Sequence, residues 1–361
     1  MIDVTQEPRP ASWPGRLRKA VDPYVAALLG TVALAALLPA TGVAAVVVGD
    51  AADLAIGLLF FLYGARLSTR EALDGLRRWK LHLVVGASTF ALFPLLGVAA
   101  GGVVPYLLSE QLHIGLLFLC VVPSTVQSSI ALTSTARGNV PAAICAGTYS
   151  SLAGMVATPL LAAWLIGSTV GFSAERLLAV AVQLLLPFLA GQVLRRWIGG
   201  FVGRHRKGLA LLDRGSILLV VYTAFSQGMA GNIWQQITPA RLTGLVSVVA
   251  ALLALALATT AYAARRLGFD REDRIAIVFC GSNKSLATGL PMAAVLFGPS
   301  AGPVILPLML YHQMQLMVCA VIASRWARQG PEPVGTAGRT GLPESATPAP
   351  PSRTTARSTA V

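Results

Sequence analysis

Two short stretches, PSTVQSS (residues 123–129) and CGSNKS (residues 280–285), interrupt long apolar segments of this 361-residue chain. Each one places a proline or a glycine and several polar side chains near the middle of an otherwise hydrophobic run. Proline and glycine weaken a helix, and polar groups are costly in hydrocarbon unless protein or water surrounds them. The two stretches therefore predict two membrane helices that are broken near mid-span.

The composition agrees with a membrane protein. Hydrophobic residues make up 55% of the chain and charged residues 12%, against about 25% charged residues in soluble domains. This balance excludes a soluble globular enzyme and a disordered chain. Because a membrane helix needs about 20 mostly apolar residues, the sequence predicts an all-α polytopic protein with ten spans, at 22–39, 45–66, 80–102, 112–136, 140–166, 174–196, 214–234, 242–264, 274–297 and 301–325.

The basic residues follow the segments between these spans. If the N-terminus is cytoplasmic, 25 of the 28 Lys and Arg residues fall in cytoplasmic segments. Such a bias predicts a multi-pass protein of the inner or plasma membrane with both termini in the cytoplasm. It also accounts for the net charge of +13 without a nucleic-acid partner, and it makes membrane lipids the expected partner of the basic clusters.

The two interrupted spans occupy equivalent places, as the fourth span of each half. Because each half has five spans, the halves would have opposite orientations in the membrane, and an inverted repeat with broken crossover helices 4 and 9 is typical of secondary transporters. The alternative is a pair of packing kinks whose hydroxyls bond the preceding turn. The expected division is a cytoplasmic segment 1–21, five-helix repeats at 22–166 and 174–325, and a disordered cytoplasmic tail at 329–361.

The breaks also indicate where a binding site would lie. Unwound backbone frees carbonyl groups for a cation and helix N-termini for an anion. We expect the substrate and ion site to include Ser124, Thr125, Gln127, Ser128, Ser129, Ser282, Asn283, Lys284 and Ser285. Polar residues of spans 5 and 10 are candidates to line the same cavity, with close helix packing as the alternative, namely Thr148, His312 and Gln315.

Several stretches resemble the bile acid:sodium symporter family, in its SBF-like branch. The resemblance extends from about Tyr24 to Arg328 and is carried by FFLYGARLS (60–68), the 123–129 stretch, ARGN (136–139), TPLL (158–161), FCGSNKSLATGLPM (279–292) and LPLMLYHQMQLMV (306–318). This resemblance implies a ten-helix transporter with two inverted repeats. It also implies that the broken helices cross, with sodium and substrate sites near the crossing.

The chain departs from the family's bile-acid branch in span 9. The glutamate and glutamine of that branch are replaced by Val278 and Ser282, whereas Asn283 matches. The loss of the charged sodium ligand makes a sodium site doubtful. The resemblance implies sodium as the coupling ion, whereas the residue content favours a proton or no coupling ion, and no cofactor is expected. Lys284 brings a positive charge instead, at a cost of about 2.5–3.5 kcal/mol at a bilayer centre. It is expected to replace a sodium ion, to attract an anionic substrate, to titrate, or to tether carbonyl groups.

The predicted function is secondary active transport of a small organic anion, by alternating access around the crossing helices. The first alternative is a channel or a non-transporting membrane regulator. The second is an intramembrane enzyme, which would need a nucleophile–base set. His312 with Ser282 or Ser285 is the candidate set in this sequence, and it lacks an acidic partner to orient the histidine.

Overall fold

The structure is a computed structural model that describes residues 23–66, 78–170, 174–230 and 238–329. Within these ranges the chain is helical and contains no strand, which confirms the all-α class. The expected cytoplasmic segment 1–21 lies outside the described residues, as does the expected tail 329–361 apart from Gln329.

Fourteen α-helices are described, and we number them in chain order. They are α1 (Pro23–Leu37), α2 (Val43–Arg66), α3 (Trp79–Ala87), α4 (Phe93–Ala100), α5 (Val104–Leu107), α6 (Glu110–Val121), α7 (Gln127–Thr135), α8 (Val140–Val170), α9 (Ala174–Arg204), α10 (Arg206–Ala230), α11 (Pro239–Arg266), α12 (Arg271–Ser282), α13 (Leu286–Phe297) and α14 (Ala301–Gln329). A π-helical turn, Ser88–Leu92, joins α3 to α4, and short 3₁₀ turns follow α4 and α13.

Six of the described helical segments are long and apolar enough to cross a membrane. They are Val43–Arg66, Trp79–Ala100, Val140–Gly167, Arg206–Met229, Pro239–Arg266 and Arg271–Gln329. Two shorter apolar helices, Ala26–Leu37 and Glu110–Val121, accompany them. Segments of this length and composition are those of an integral membrane protein.

Apolar side chains form the outer surface of the protein as well as its core. Large apolar residues lie exposed on the outside, and Leu37 and Trp164 are 80% and 76% exposed. Polar side chains such as those of Ser124, Asn283 and Lys284 are fully buried. Exposed apolar surface of this extent needs a lipid or protein environment, and buried polar groups need partners inside the protein.

Two glycines allow α2 and α9 to cross with their backbones in contact. A Cβ atom at Gly64 would lie 2.0 Å from the carbonyl oxygen of Phe188, and a Cβ atom at Gly191 would lie 2.0 Å from the carbonyl oxygen of Phe61. The two glycines therefore fit reciprocally against the opposite main chain. Small residues at such contacts are how membrane helices gain packing energy.

We expect Gly191→Ala to destabilise the protein by about 1–3 kcal/mol, because the added methyl group would push α9 away from α2. Gly200→Ala is the matched control on the same helix, because a Cβ atom at Gly200 would have no neighbouring atom within 4 Å. Thermal unfolding in detergent, followed by tryptophan fluorescence, should show a lower Tm for Gly191→Ala alone. Equal Tm values for the two variants would contradict this close crossing.

Candidate functional site

The chain leaves helical geometry between α6 and α7. Val122 is extended, with φ −67° and ψ 142°, which is the conformation that a following proline favours. Pro123 then has no N–H to continue the helix, and the next helix begins at Gln127. The last carbonyl groups of α6 consequently have no partners within their own helix.

A second interruption separates α12 from α13 and contains no proline. Asn283 is extended, with φ −86° and ψ 146°. Ser285 caps the next helix, because its hydroxyl accepts from the N–H of Thr288 at 3.2 Å. A serine at an N-cap favours the start of a new helix, so a short extended segment, 283–285, is held between two helix ends.

The first interruption satisfies the carbonyl groups at the end of α12. The Ser124 hydroxyl donates to the carbonyl of Cys280 at 2.5 Å, and the Ser129 hydroxyl donates to the carbonyl of Phe279 at 3.2 Å. All four residues are fully buried. A buried carbonyl left without a donor costs about 1–3 kcal/mol, so these two serines stabilise the end of the opposite helix.

The end of α6 and the start of the first interruption receive donors from the second interruption and from α8. The Ser285 N–H donates to the carbonyl of Pro123 at 2.9 Å. The hydroxyl of Thr158, from α8, donates to the carbonyl of Val121 at 2.8 Å. The two interruptions therefore lie against each other, and each supplies donors to the helix end that the other creates.

Lys284 makes the remaining contacts at the end of α6. Its ammonium group donates to the carbonyl oxygens of Thr89, Cys120 and Val122, at 3.1, 2.9 and 2.8 Å. The residue is fully buried and is not part of the wall of the neighbouring cavity described below. The structure thus directs the Lys284 ammonium group at main-chain carbonyl groups and places the residue outside the cavity wall.

Residues of α14 enclose the second interruption from the other side. The Gln315 side chain accepts from the Lys284 N–H at 2.7 Å and donates to the Lys284 carbonyl at 2.9 Å. His312 Nδ1 lies 2.8 Å from Gln315 Nε2. Tyr311 donates its hydroxyl to the carbonyl of Ser282 at 2.6 Å. Gln315 therefore supports the backbone of the break, whereas the sequence leaves both cavity lining and packing against span 9 open for this residue.

A cavity of about 310 Å³ lies beside the crossing. Four of the predicted residues line it, namely Thr125, Gln127, Thr148 and Ser285. Apolar side chains cover other parts of its wall, among them Phe60, Leu152, Met155 and Phe188. The cavity thus offers hydroxyl and amide groups beside an apolar surface.

The other predicted residues lie outside this wall. Ser124, Ser129, Ser282, Asn283, Lys284 and Gln315 are buried, and Ser128 and His312 are partly buried. The Ser282 hydroxyl bonds the Val278 carbonyl of its own helix at 2.6 Å, and the Ser128 hydroxyl bonds that of Thr125 at 3.2 Å. Most of the polar residues predicted as a solute site therefore hold the main chain of the breaks.

Arg66 is a cavity residue that the sequence does not single out, because it lies in a cluster of basic residues that indicates topology. It lines the cavity, and its Nη1 forms an ion pair with Asp213. Its buried Nη2 has no hydrogen-bond partner among the residues that the structure describes. The spacing of Phe60, Tyr63 and Arg66 could have indicated that Arg66 shares a helix face with two aromatic residues, since residues three apart lie on one face.

Helices interrupted inside an apolar, multi-span protein, with a cavity beside the breaks, are typical of membrane transport proteins. The chain belongs to the SBF-like CPA transporter family, whose sequence model matches residues 22–328. The resemblance noted in the sequence is therefore confirmed, and the function is in the class of transporters.

Named relatives agree with this family. The chain is 53% identical over 311 residues to "Uncharacterized protein PA2026" of Pseudomonas aeruginosa, which covers 85% of this chain and 93% of that protein. It is 46% identical over 316 residues to "Putative symporter YfeH" of Escherichia coli K12, covering 87% and 95%. It is 28% identical over 281 residues to "Sodium/bile acid cotransporter 7" of Rattus norvegicus, covering 74% and 81%.

Ser124→Ala should destabilise the protein by about 1–3 kcal/mol, because it leaves the buried Cys280 carbonyl without its donor. Ser324→Ala is the control, since that exposed hydroxyl bonds the Ala320 carbonyl within its own helix. Thermal unfolding of both variants in detergent measures the difference. A Tm of Ser124→Ala equal to that of the control would show that the crossing does not depend on this bond.

Proposed function

We propose that this protein is a secondary active transporter that moves a small organic anion across the membrane by alternating access. The observation that carries the proposal is the cavity of about 310 Å³ at the crossing of the interrupted segments. Its volume suits a small organic solute. The relatives named as a symporter and as a sodium/bile acid cotransporter support transport of a solute of this kind.

The cavity wall supports the choice of an anion. Asp213 bonds Nη1 of Arg66 and orients the guanidinium group, while Nη2 is free among the described residues to donate to a carboxylate or sulfonate. Within the described part of the chain, the wall contains no Asp or Glu side chain. The apolar part of such a solute would lie against Phe60 and Phe188.

The proposed mechanism uses the expected architecture of ten spans, with inverted repeats at 22–166 and 174–325 and both termini in the cytoplasm. Spans 4 and 9 are then the interrupted helices, α6–α7 and α12–α13. Relative movement of the helices around the crossing would open the cavity first to one side of the membrane and then to the other. The matched position of the two interruptions in the repeats and the distribution of basic residues support this arrangement.

Arg66→Gln should weaken the binding of organic anions by about tenfold or more, the equivalent of one hydrogen bond to a charged group. Arg196→Gln is the matched control, because Arg196 is exposed and stacks on Trp197 with 3.6 Å between the guanidinium carbon and the ring centroid. The probes are a panel of carboxylates and sulfonates, taurocholate included, tested by thermal stabilisation of the purified protein and then by uptake into proteoliposomes.

The panel should contain anions that saturably stabilise the wild type and the Arg196→Gln variant, and these anions should be taken up. Uptake of cationic or neutral analogues in preference to the anions would contradict the proposed substrate class. Continuous ion current without saturable uptake would contradict the proposed transport mechanism.

A further inference from the structure

The ammonium group of Lys284 lies in an environment that suits a bound cation. Three carbonyl oxygens accept from it, and the ring centroid of Phe93 is 4.0 Å from Nζ. Three acceptors match the three N–H bonds of an ammonium group, whereas a neutral amine has two. The ion pairs found among the described residues involve Arg66 and Arg78, so Lys284 is balanced by dipoles and a ring.

Two of the three carbonyls are there because α6 ends inside the protein. Cys120 and Val122 lie at its C-terminal end, where carbonyl groups lack helical partners and the helix dipole is negative. This end attracts a positive charge. The interruption that follows α6 therefore creates a site for a cation, whether that cation is dissolved or covalently attached.

The third carbonyl comes from the π-helical turn between α3 and α4. The N–H of Phe93 bonds the carbonyl of Ser88, five residues earlier. The next donor in this register would be residue 94, and Pro94 has no N–H. The Thr89 carbonyl is thereby left to accept from Lys284. The π turn also brings the ring of Phe93 to the ammonium group, where a cation–π contact adds to its stability.

We propose that Lys284 supplies a resident cation to this site, so that the protein needs no dissolved metal cation to hold the crossing together. Carbonyl oxygens and an aromatic face are also ligands that would accept a sodium or alkylammonium ion. A covalently attached ammonium group cannot cross the membrane. If the proposed transport function holds, this site therefore contributes no coupling ion.

The experiment compares the wild type with Lys284→Ala and Lys284→Met by thermal unfolding in detergent. Lys284→Ala removes three carbons and the ammonium group, which n-propylammonium can replace. Lys284→Met is the matched control, because its side chain fills most of the space without a charge. Each protein is measured in choline chloride with added NaCl, n-propylammonium chloride or n-propanol, with choline used to keep the ionic strength equal.

We expect the Tm of the wild type to be the same in sodium and choline. Lys284→Ala should unfold about 5–10 °C lower, because three buried carbonyls lose their donor. Saturable n-propylammonium should restore most of this loss, and n-propanol should not. Lys284→Met should be destabilised and should not respond to either compound.

Three results would overturn the proposal. One is saturable stabilisation of the wild type by sodium, which would show that a dissolved cation fills such a site. Another is the absence of rescue in Lys284→Ala, including failure to obtain this variant in n-propylammonium. The third is equal rescue by n-propanol, which would show that shape and not charge matters. None of these measurements requires transport, so their outcome is independent of the search for an organic anion.

Discussion

A helix that ends inside a membrane protein leaves its last carbonyl groups without partners in a region where water is scarce. Two helices end in this way here, α6 at Val121 and α12 at Ser282. Ser124 and Ser129 donate to the end of α12, while Lys284 and Ser285 donate to the end of α6 and the start of the first interruption. Each break is stable because the other supplies donors to its free carbonyl groups. The surrounding helices must therefore hold the two interrupted segments in fixed relative positions.

Neighbouring residues of each break face different surroundings, so the same short segments both support the fold and face a cavity. Ser124 points to the end of α12 and Thr125 lines the cavity. Lys284 points to the end of α6 and Ser285 lines the cavity. A change in the position of one break would therefore alter both the support of a helix end and the wall of the cavity.

The location of the breaks could be predicted from local rules. Pro123 ends a helix because it lacks an N–H, and Ser285 is a favourable N-cap for a new helix. The direction of each polar side chain could not be predicted, because it depends on which of two neighbouring residues faces the partner segment. The sequence leaves a solute site and a carbonyl tether open for Lys284, and a cavity wall and close packing open for Gln315. Both side chains bond the main chain in the structure.

The features of the site that could not be predicted from the sequence depend on contacts between distant segments. Arg66 reaches the cavity because α2 crosses the bundle beside α9 and α10, and its partner Asp213 is 147 residues away in sequence. The π turn at Ser88–Leu92 carries no polar signature that would single out the Thr89 carbonyl. Both features arise only when the fold brings distant segments together. Neither follows from the hydrophobic periodicity or the polarity of its own segment.

Hydrogen exchange tests most directly whether the two interruptions depend on each other. Amide exchange, followed by mass spectrometry, would be compared between the wild type and Lys284→Met in peptides from residues 86–94, 112–130 and 279–291. Cys120 is 164 residues from Lys284 in sequence. If the breaks form one unit, exchange should accelerate in all three peptides. Acceleration confined to 279–291 would show that each interruption is stable by itself and would contradict this account.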